Sequence, residues 1–203
     1  MSFEQEYQHN KVRWIEPDEQ VVKWLAAVPA GRALDLGAGE GGNSFWLAQQ
    51  GWDVTSVDAA PSAVEFITDY AKAKEYAIQS EVADARTYTG NAPFDLILLS
   101  FVHFSKKDRE NLFARLEKQL AEDGVMVYVG LVKTEDELPP GGRLQEFPPS
   151  DEIAEEWKVR TSLDIVEQVD DIREVPIGVA QGMYQARTVG LIGRKGRDDE
   201  RIL

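Results

Sequence analysis

The chain has 203 residues, 43% of them hydrophobic, enough for one globular domain with a buried core. Its 36 acidic and 22 basic residues give a formal charge of -14, which disfavours nucleic-acid binding, because that draws its affinity from Lys and Arg on phosphates. There is no cysteine for a disulfide, a cysteine–zinc site or a thiol nucleophile, and neither a signal-peptide pattern nor an apolar run of the ~18 residues that span a membrane, so a cytoplasmic location is expected.

The polar opening stretch MSFEQEYQHNKVRW carries Tyr7, His9 and Trp14, aromatic groups suited to covering a small substrate. Residues 1–29 are expected to form a helical lid or cap. Within them, residues 16–28 read as a helix, with Pro17 in its first turn and apolar residues at helical spacing. RALDLG is a short strand that runs into the glycines of LDLGAGEGGNSFWLAQQGW, and NSFWLAQQG is a helix closed by Gly51. DVTSVD is a second strand, PSAVEFITDYAKAKEY a helix with Pro61 near its start, and SEVAD a short third strand. FDLILLSF is a continuous apolar run, as expected of a strand buried on both faces, and GVMVYVGLV is another, with the amphipathic helix KKDRENLFARLEKQL between them.

The last third has a different texture. TEDELPPGGRLQEFPPS is a Pro- and Gly-rich loop, Ser150 is placed to cap the helix DEIAEEWKV, and Trp157 on that helix is expected in the core. SLDIVEQVDDIREV and ARTVGLIGRK read as two strands with no helix between them, hence antiparallel, with Tyr184 in the turn; the tail RKGRDDERIL is expected to fray. The whole pattern predicts an α/β fold, a mostly parallel sheet with helices on both faces and an antiparallel C-terminal hairpin. Right-handed crossovers put all parallel strand C-termini on one edge, where ligands bind. The candidate site residues therefore follow strands: Gly37 to Gly42, Asp58, Asp84, and Ser100 to Phe104.

Gly37-Ala38-Gly39-Glu40-Gly41-Gly42 satisfies G-x-G-x-x-G, with Asp58 about twenty residues on, so a nicotinamide dinucleotide is one ligand the loop can take. Against it stand Asp35 inside the first strand, room for only one Rossmann-type half, the antiparallel end, and Glu40 where a pyrophosphate would lie. The same residues spell D-x-G-x-G-x-G from Asp35 to Gly41, which resembles motif I of class I S-adenosylmethionine-dependent methyltransferases. The Asn43-Ser44 pair that follows resembles small-molecule methyltransferases of the tellurite-resistance type.

The resemblance implies a Rossmann-like seven-stranded sheet whose last strand is inserted antiparallel, with a donor-binding core over residues 30–131 and a loop, helix and hairpin over 132–203. It implies S-adenosylmethionine as cofactor. Gly37, Ala38, Gly39 and Asn43 would meet its amino acid tail and ribose, and Asp35 would add negative potential near the cationic end. Asp58 would accept the ribose hydroxyls and Ala59 lie on the adenine. Asp84 and the backbone of Ala85 would read the adenine edge, with Ser100 and Phe101 beside the methyl group. The acceptor is expected to be a small molecule, since SFVHF lacks the Asn/Asp-Pro-Pro-aromatic motif of enzymes that methylate exocyclic amines. His103 is the candidate general base, or else part of the pocket wall, and Tyr7, Trp14 and Phe104 are candidates to line the acceptor pocket with it. The loop over residues 138–149 is a second candidate roof. No acidic cluster suggests a metal, and the oligomeric state is open. A domain that binds the donor without turnover, acting through a partner, is the remaining alternative.

Overall fold

The computed structural model describes residues 3–9, 13–133, 147–176 and 182–196. The side chain of His9, most of the Pro-rich loop (residues 134–146) and the tail from residue 197 lie outside the described residues, and with them the expectations placed there.

Thirteen elements follow in the order α1 (Phe3–His9), α2 (Glu19–Leu25), β1 (Arg32–Leu36), α3 (Gly42–Gln49), β2 (Asp53–Asp58), α4 (Pro61–Lys74), β3 (Ile78–Val82), β4 (Phe94–Ser100), α5 (Lys106–Glu117), β5 (Leu120–Leu131), α6 (Ser150–Arg160), β6 (Asp164–Pro176) and β7 (Met183–Arg194). They build one seven-stranded sheet in the order β3-β2-β1-β4-β5-β7-β6. Strands β1 to β5 are parallel, and β7 enters antiparallel between β5 and β6.

The central strands are apolar throughout because both faces are covered. Alternate residues of β4 divide between two cores. Ile97 and Leu99 pack with Met126, Phe113 and Trp157 under α5 and α6, while Leu96 and Leu98 pack with Val54, Trp24 and Trp52 under α2 and α3. Trp157 is fully buried, as its place on an amphipathic helix suggested. Two glycines of β7 make room for the two indoles: a Cβ at Gly190 would stand 2.7 Å from Trp24, and one at Gly193 would stand 2.9 Å from Trp157 on the other face.

Several boundaries differ from the sequence reading, each for a side-chain reason. Helix α2 starts at Glu19, not Glu16, because Asp18 Oδ1 accepts from the N–H groups of Gln20 and Val21 and caps it there; Pro17 lies before the helix. Ser150 does not cap α6. Pro149 occupies the cap position and Ser150 is the first helical residue, its side chain hydrogen-bonded to Asp170 on β6. Tyr184 lies within β7 and not in a turn, since the β6–β7 ladder extends to the Pro176–Met183 pair.

A buried ion-pair knot joins α5 to α6. Arg109 donates from Nε to Glu156 Oε2 (2.7 Å), from Nη1 to the carbonyl of Phe104 (2.8 Å) and from Nη2 to Glu152, with the guanidinium 4% exposed. Removing one partner of such a group strands the other charge in the core, so Arg109→Ala is expected to lower the unfolding free energy by about 3–5 kcal/mol. Urea unfolding measures this, and Arg109→Met combined with Glu156→Leu should recover most of the loss.

Candidate active site

The turn after β1 is built for backbone without side chains. Gly37, Gly39 and Gly41 have φ of +79°, +55° and +83°, a region that L side chains rarely adopt. Gly37 is also packed tight: a Cβ there would stand 2.3 Å from Val102, which follows β4. The turn is tied to β2 by two bonds to the carbonyl of Val57, from Gly37 N–H (2.7 Å) and Ala38 N–H (3.0 Å). Asp58, at the tip of β2, fastens it from the other side. Its Oδ2 accepts from Gly39 N–H (2.9 Å) and its Oδ1 from Ala60 N–H (2.8 Å), so one carboxylate spans the glycine turn and the start of α4. Ala59 lies exposed beside it.

The N-terminal segment folds over this turn. Tyr7 is buried against Ala60 and Ala63, with its hydroxyl 3.1 Å from where a Cβ of Gly39 would stand. Glu4 accepts from both the N–H and the hydroxyl of Ser62 at the start of α4. Arg13 lies between the rings of Tyr7 and Phe66, donates to the carbonyl of Tyr7 (2.7 Å), and stands 3.8 Å from Glu40 in the glycine turn. Trp14 contributes its backbone N–H to Glu40 Oε2 (2.7 Å). Burial pushes the Glu40 carboxyl up, against the opposing pull of Trp14 and Arg13. Neither Arg13 nor the Glu4–Ser62 contact was legible in the sequence, since both depend on a chain reversal between residues far apart.

Asp35 and Asn43 have partners of their own. The Asp35 carboxyl is buried beneath the turn, where Ser44 Oγ donates to it (2.6 Å) and Ser56 Oγ donates to Ser44 Oγ (2.6 Å). Burial, with a smaller addition from the Asp58 charge, pushes its pKa up to about 6. Asn43 Oδ1 accepts from Asp18 N–H (2.9 Å) and so anchors the start of α2. Ser44 and Ser56 were the missed members here; the signal was a serine beside the valine at the end of β2, on the strand next to Asp35.

Asp84, past the end of β3, closes on Arg86, which donates to both its oxygens and holds its carboxyl below the usual range. Arg115 braces the same turn through the carbonyl of Ala85 (2.8 Å). At the tip of β4, Ser100 is half-buried and Phe101 has φ +56°, with its N–H on the carbonyl of Val129 (2.7 Å) and Arg173 stacked over its ring at 5.5 Å. His103 meets the edge of Phe147 at 4.8 Å, and burial lowers its pKa to about 4. Phe104 departs from the expected pocket wall: it is packed in the core with Leu112 and Phe113. Tyr184 and Phe101 pack against Leu131, Phe147, Val175 and Ala186. Apart from Asp84 and Ala85 past β3 and Phe104 in the core, the candidate residues thus form two adjoining groups, one around the glycine turn and one around the β4 tip, with Val102 between them.

The raised pKa of Asp35 has a consequence for stability. In the range between its ordinary 3.8 and about 6, the folded chain holds a proton that the unfolded chain has lost. Stability from this group is therefore greatest at low pH, falls as pH rises to about 6, and is level above. The total is on the order of 3 kcal/mol. Urea unfolding of the ligand-free protein from pH 4 to 7 should show this decline relative to Asp35→Asn, in which the difference is gone.

Residues 33–124 match the methyltransferase domain family. The chain is 30% identical over 115 residues to glycine/sarcosine N-methyltransferase of Aphanothece halophytica, an alignment that covers 54% of this chain and 43% of that one. It spans less than half the length of the curated relatives it matches. The TehB structure of Haemophilus influenzae superposes with a TM-score of 0.75 at 20% identity over 88% of this chain and 62% of that one. NodS of Bradyrhizobium japonicum WM9, solved with S-adenosylhomocysteine, superposes with 0.73 at 15% identity over 97% and 100%. With the D-x-G-x-G-x-G turn at the tip of β1 and the antiparallel β7 between β5 and β6, these matches place residues 33–124 in the methyltransferase domain family and give the chain the sheet of the class I methyltransferase fold.

Proposed function

We propose that the protein binds S-adenosylmethionine across the glycine turn and the β2 tip, and transfers its methyl group to a small-molecule acceptor at the β4 tip. The observation that carries this is the Asp58 carboxylate, held by Gly39 N–H and Ala60 N–H at the mouth of a side-chain-free turn. Each carboxylate oxygen has a further acceptor site, so Asp58 can still take both ribose hydroxyls in charge-assisted bonds. Gly37, Ala38 and Gly39 then admit the amino acid tail, and Ala59 offers a small exposed face for the adenine. Asp84 and Ala85 border the adenine end, with Arg86 and Arg115 fixing their turn. The donor supplies an electrophilic methyl on a positively charged sulfur. Asp35 and Glu40 favour that cation by their potential and would oppose a pyrophosphate, which supports the methyl donor over a dinucleotide.

In this reading the chain's contribution to rate is placement: donor carbon and acceptor atom are held in line. The N-terminal segment serves as the lid, with Tyr7, Arg13 and Trp14 gripping the glycine turn. Asn43 holds the start of α2 through its Oδ1 and borders the donor's amino acid tail. The relative that acts on glycine and sarcosine supports a small acceptor. The acidic, cysteine-free composition accords with a cytoplasmic setting and with no nucleic-acid partner; among the described residues, no helix is long and apolar enough to cross a membrane.

Calorimetry with S-adenosylmethionine and NAD side by side tests the proposal. Binding of the first and not the second is expected, followed by release of S-adenosylhomocysteine on a panel of acceptors. Asp58→Ala should weaken donor binding by about 1.5–3 kcal/mol, the scale of hydrogen bonds to a charged group. Unchanged affinity in the folded variant would remove Asp58 from the donor site. Arg13→Met, which loosens the lid, should quicken donor dissociation in stopped-flow measurements.

A further inference from the structure

We infer that the acceptor is a flat aromatic nucleophile, a thiolate or an unprotonated ring nitrogen, seated among Phe101, His103, Phe147 and Tyr184; this rests on the donor site proposed above. These four rings reach one place from three parts of the chain. Phe101 and His103 follow β4, Tyr184 opens β7, and Phe147 precedes α6. Phe147 is buried on Leu131, Val175 and Ala186, while Phe101, His103 and Tyr184 are only half-buried and leave aromatic surface for a ligand to cover. The place adjoins the glycine turn, because Val102, between Phe101 and His103, closes on Gly37.

Phe101 is held there at a cost. A φ of +56° is unfavourable for a bulky side chain and persists only where the surroundings enforce it. Here its N–H is fixed to Val129 and its ring lies under Arg173, which is itself paired with Asp18 at 2.7 Å. Strain of this kind gathers at binding sites, where a ring must be presented in one orientation. A planar ligand among edge-on and tilted rings satisfies the geometry that aromatic quadrupoles prefer.

The chemistry of the wall limits the nucleophile. His103 sits in a largely apolar surround and is neutral at physiological pH, with burial the cause. Several charged groups on the elements around it are paired elsewhere: Arg173 with Asp18, Arg187 with Asp170, Lys106 with Glu152, and Arg109 with Glu152 and Glu156, while Lys107, Asp151 and Glu174 are exposed. Asp108 accepts from Ser105, and Lys133 is exposed. The phenol of Tyr184 is raised by burial and stays protonated. A lowered pKa makes His103 a weaker base than a free imidazole. An acceptor atom that brings a free lone pair, its proton already lost to water, needs no base from this wall. That pair forms the bond to the methyl carbon as the methyl–sulfur pair returns to sulfur, leaving a neutral thioether.

The test uses the full chain with S-adenosylmethionine, and thiophenol, para-nitrothiophenol, benzimidazole, glycine and an aliphatic alcohol as probes. The aromatic thiols and the azole should be methylated ahead of glycine and the alcohol. The pH midpoint of kcat/KM should move with the acidity of each thiol, in the wild type and in His103→Gln alike. Phe147→Leu and Tyr184→Leu should each raise KM for thiophenol roughly tenfold, a stacking contact's worth, with donor Kd unchanged. Tyr184 is half-exposed, so its variant keeps the test open if Phe147→Leu fails to fold. A midpoint common to all acceptors and lost in His103→Gln would make His103 the base and overturn the inference. So would preference for glycine or the alcohol, or no aromatic product from protein that binds the donor by calorimetry. Failure to bind the donor at all would instead bring down the donor site beneath it.

Discussion

One carboxylate holds two loops together. Asp58 ends β2, accepts from Gly39 in the turn after β1, and accepts from Ala60 at the start of α4. Charge-assisted bonds of this type are stronger than those between neutral groups, and their removal leaves backbone donors without partners. Without them, the three left-handed glycines would be tied to β2 only through the carbonyl of Val57. With them, the bend is a fixed rim whose N–H groups, carbonyls and absent side chains are all in defined places. Val57 reinforces the rim from the same strand, and the N-terminal segment rests on it through Tyr7 and through the bond of Trp14 N–H to Glu40.

The electrostatics of the rim follow from its burial. Asp35 lies under the turn and Glu40 within it, and both carboxyls are raised because water is excluded from them. Each is kept in place by a specific donor, Ser44 for Asp35 and Trp14 N–H for Glu40. Neutralising such groups by a bound cation relieves the same burden that raises their pKa, whereas an anion would add to it. In the proposed reading, preference for a positively charged ligand follows from how these carboxyls are buried, more than from the chain's overall charge.

Much of the architecture was legible because its signals are local. Apolar runs of strand length, glycines after β1, Pro61 at the start of α4, and two strands with no helix between them need no knowledge of distant residues. The same holds for the family resemblance carried by Asp35 to Gly41. What misled was local chemistry captured by a remote partner. Ser150 had the identity of a cap, but its side chain is taken by Asp170. Phe104 followed the β4 tip like a pocket residue, yet its backbone carbonyl is drawn in by Arg109 and its ring joins the core.

The amino-acid sequence alone determined the order and type of the central elements, the class of sheet, and the edge on which the site lies, because periodicity and glycine placement act within a few residues. Tertiary structure alone decided which polar groups face a ligand and which are consumed by the protein. It brought Arg13 to Glu40, Arg115 to Ala85, Arg173 to Phe101, and Phe147 to His103. A carboxylate, an imidazole or a ring acquires its charge state and its free lone pairs from neighbours distant in the chain, and those neighbours exist only once the sheet has closed and the hairpin has packed against it.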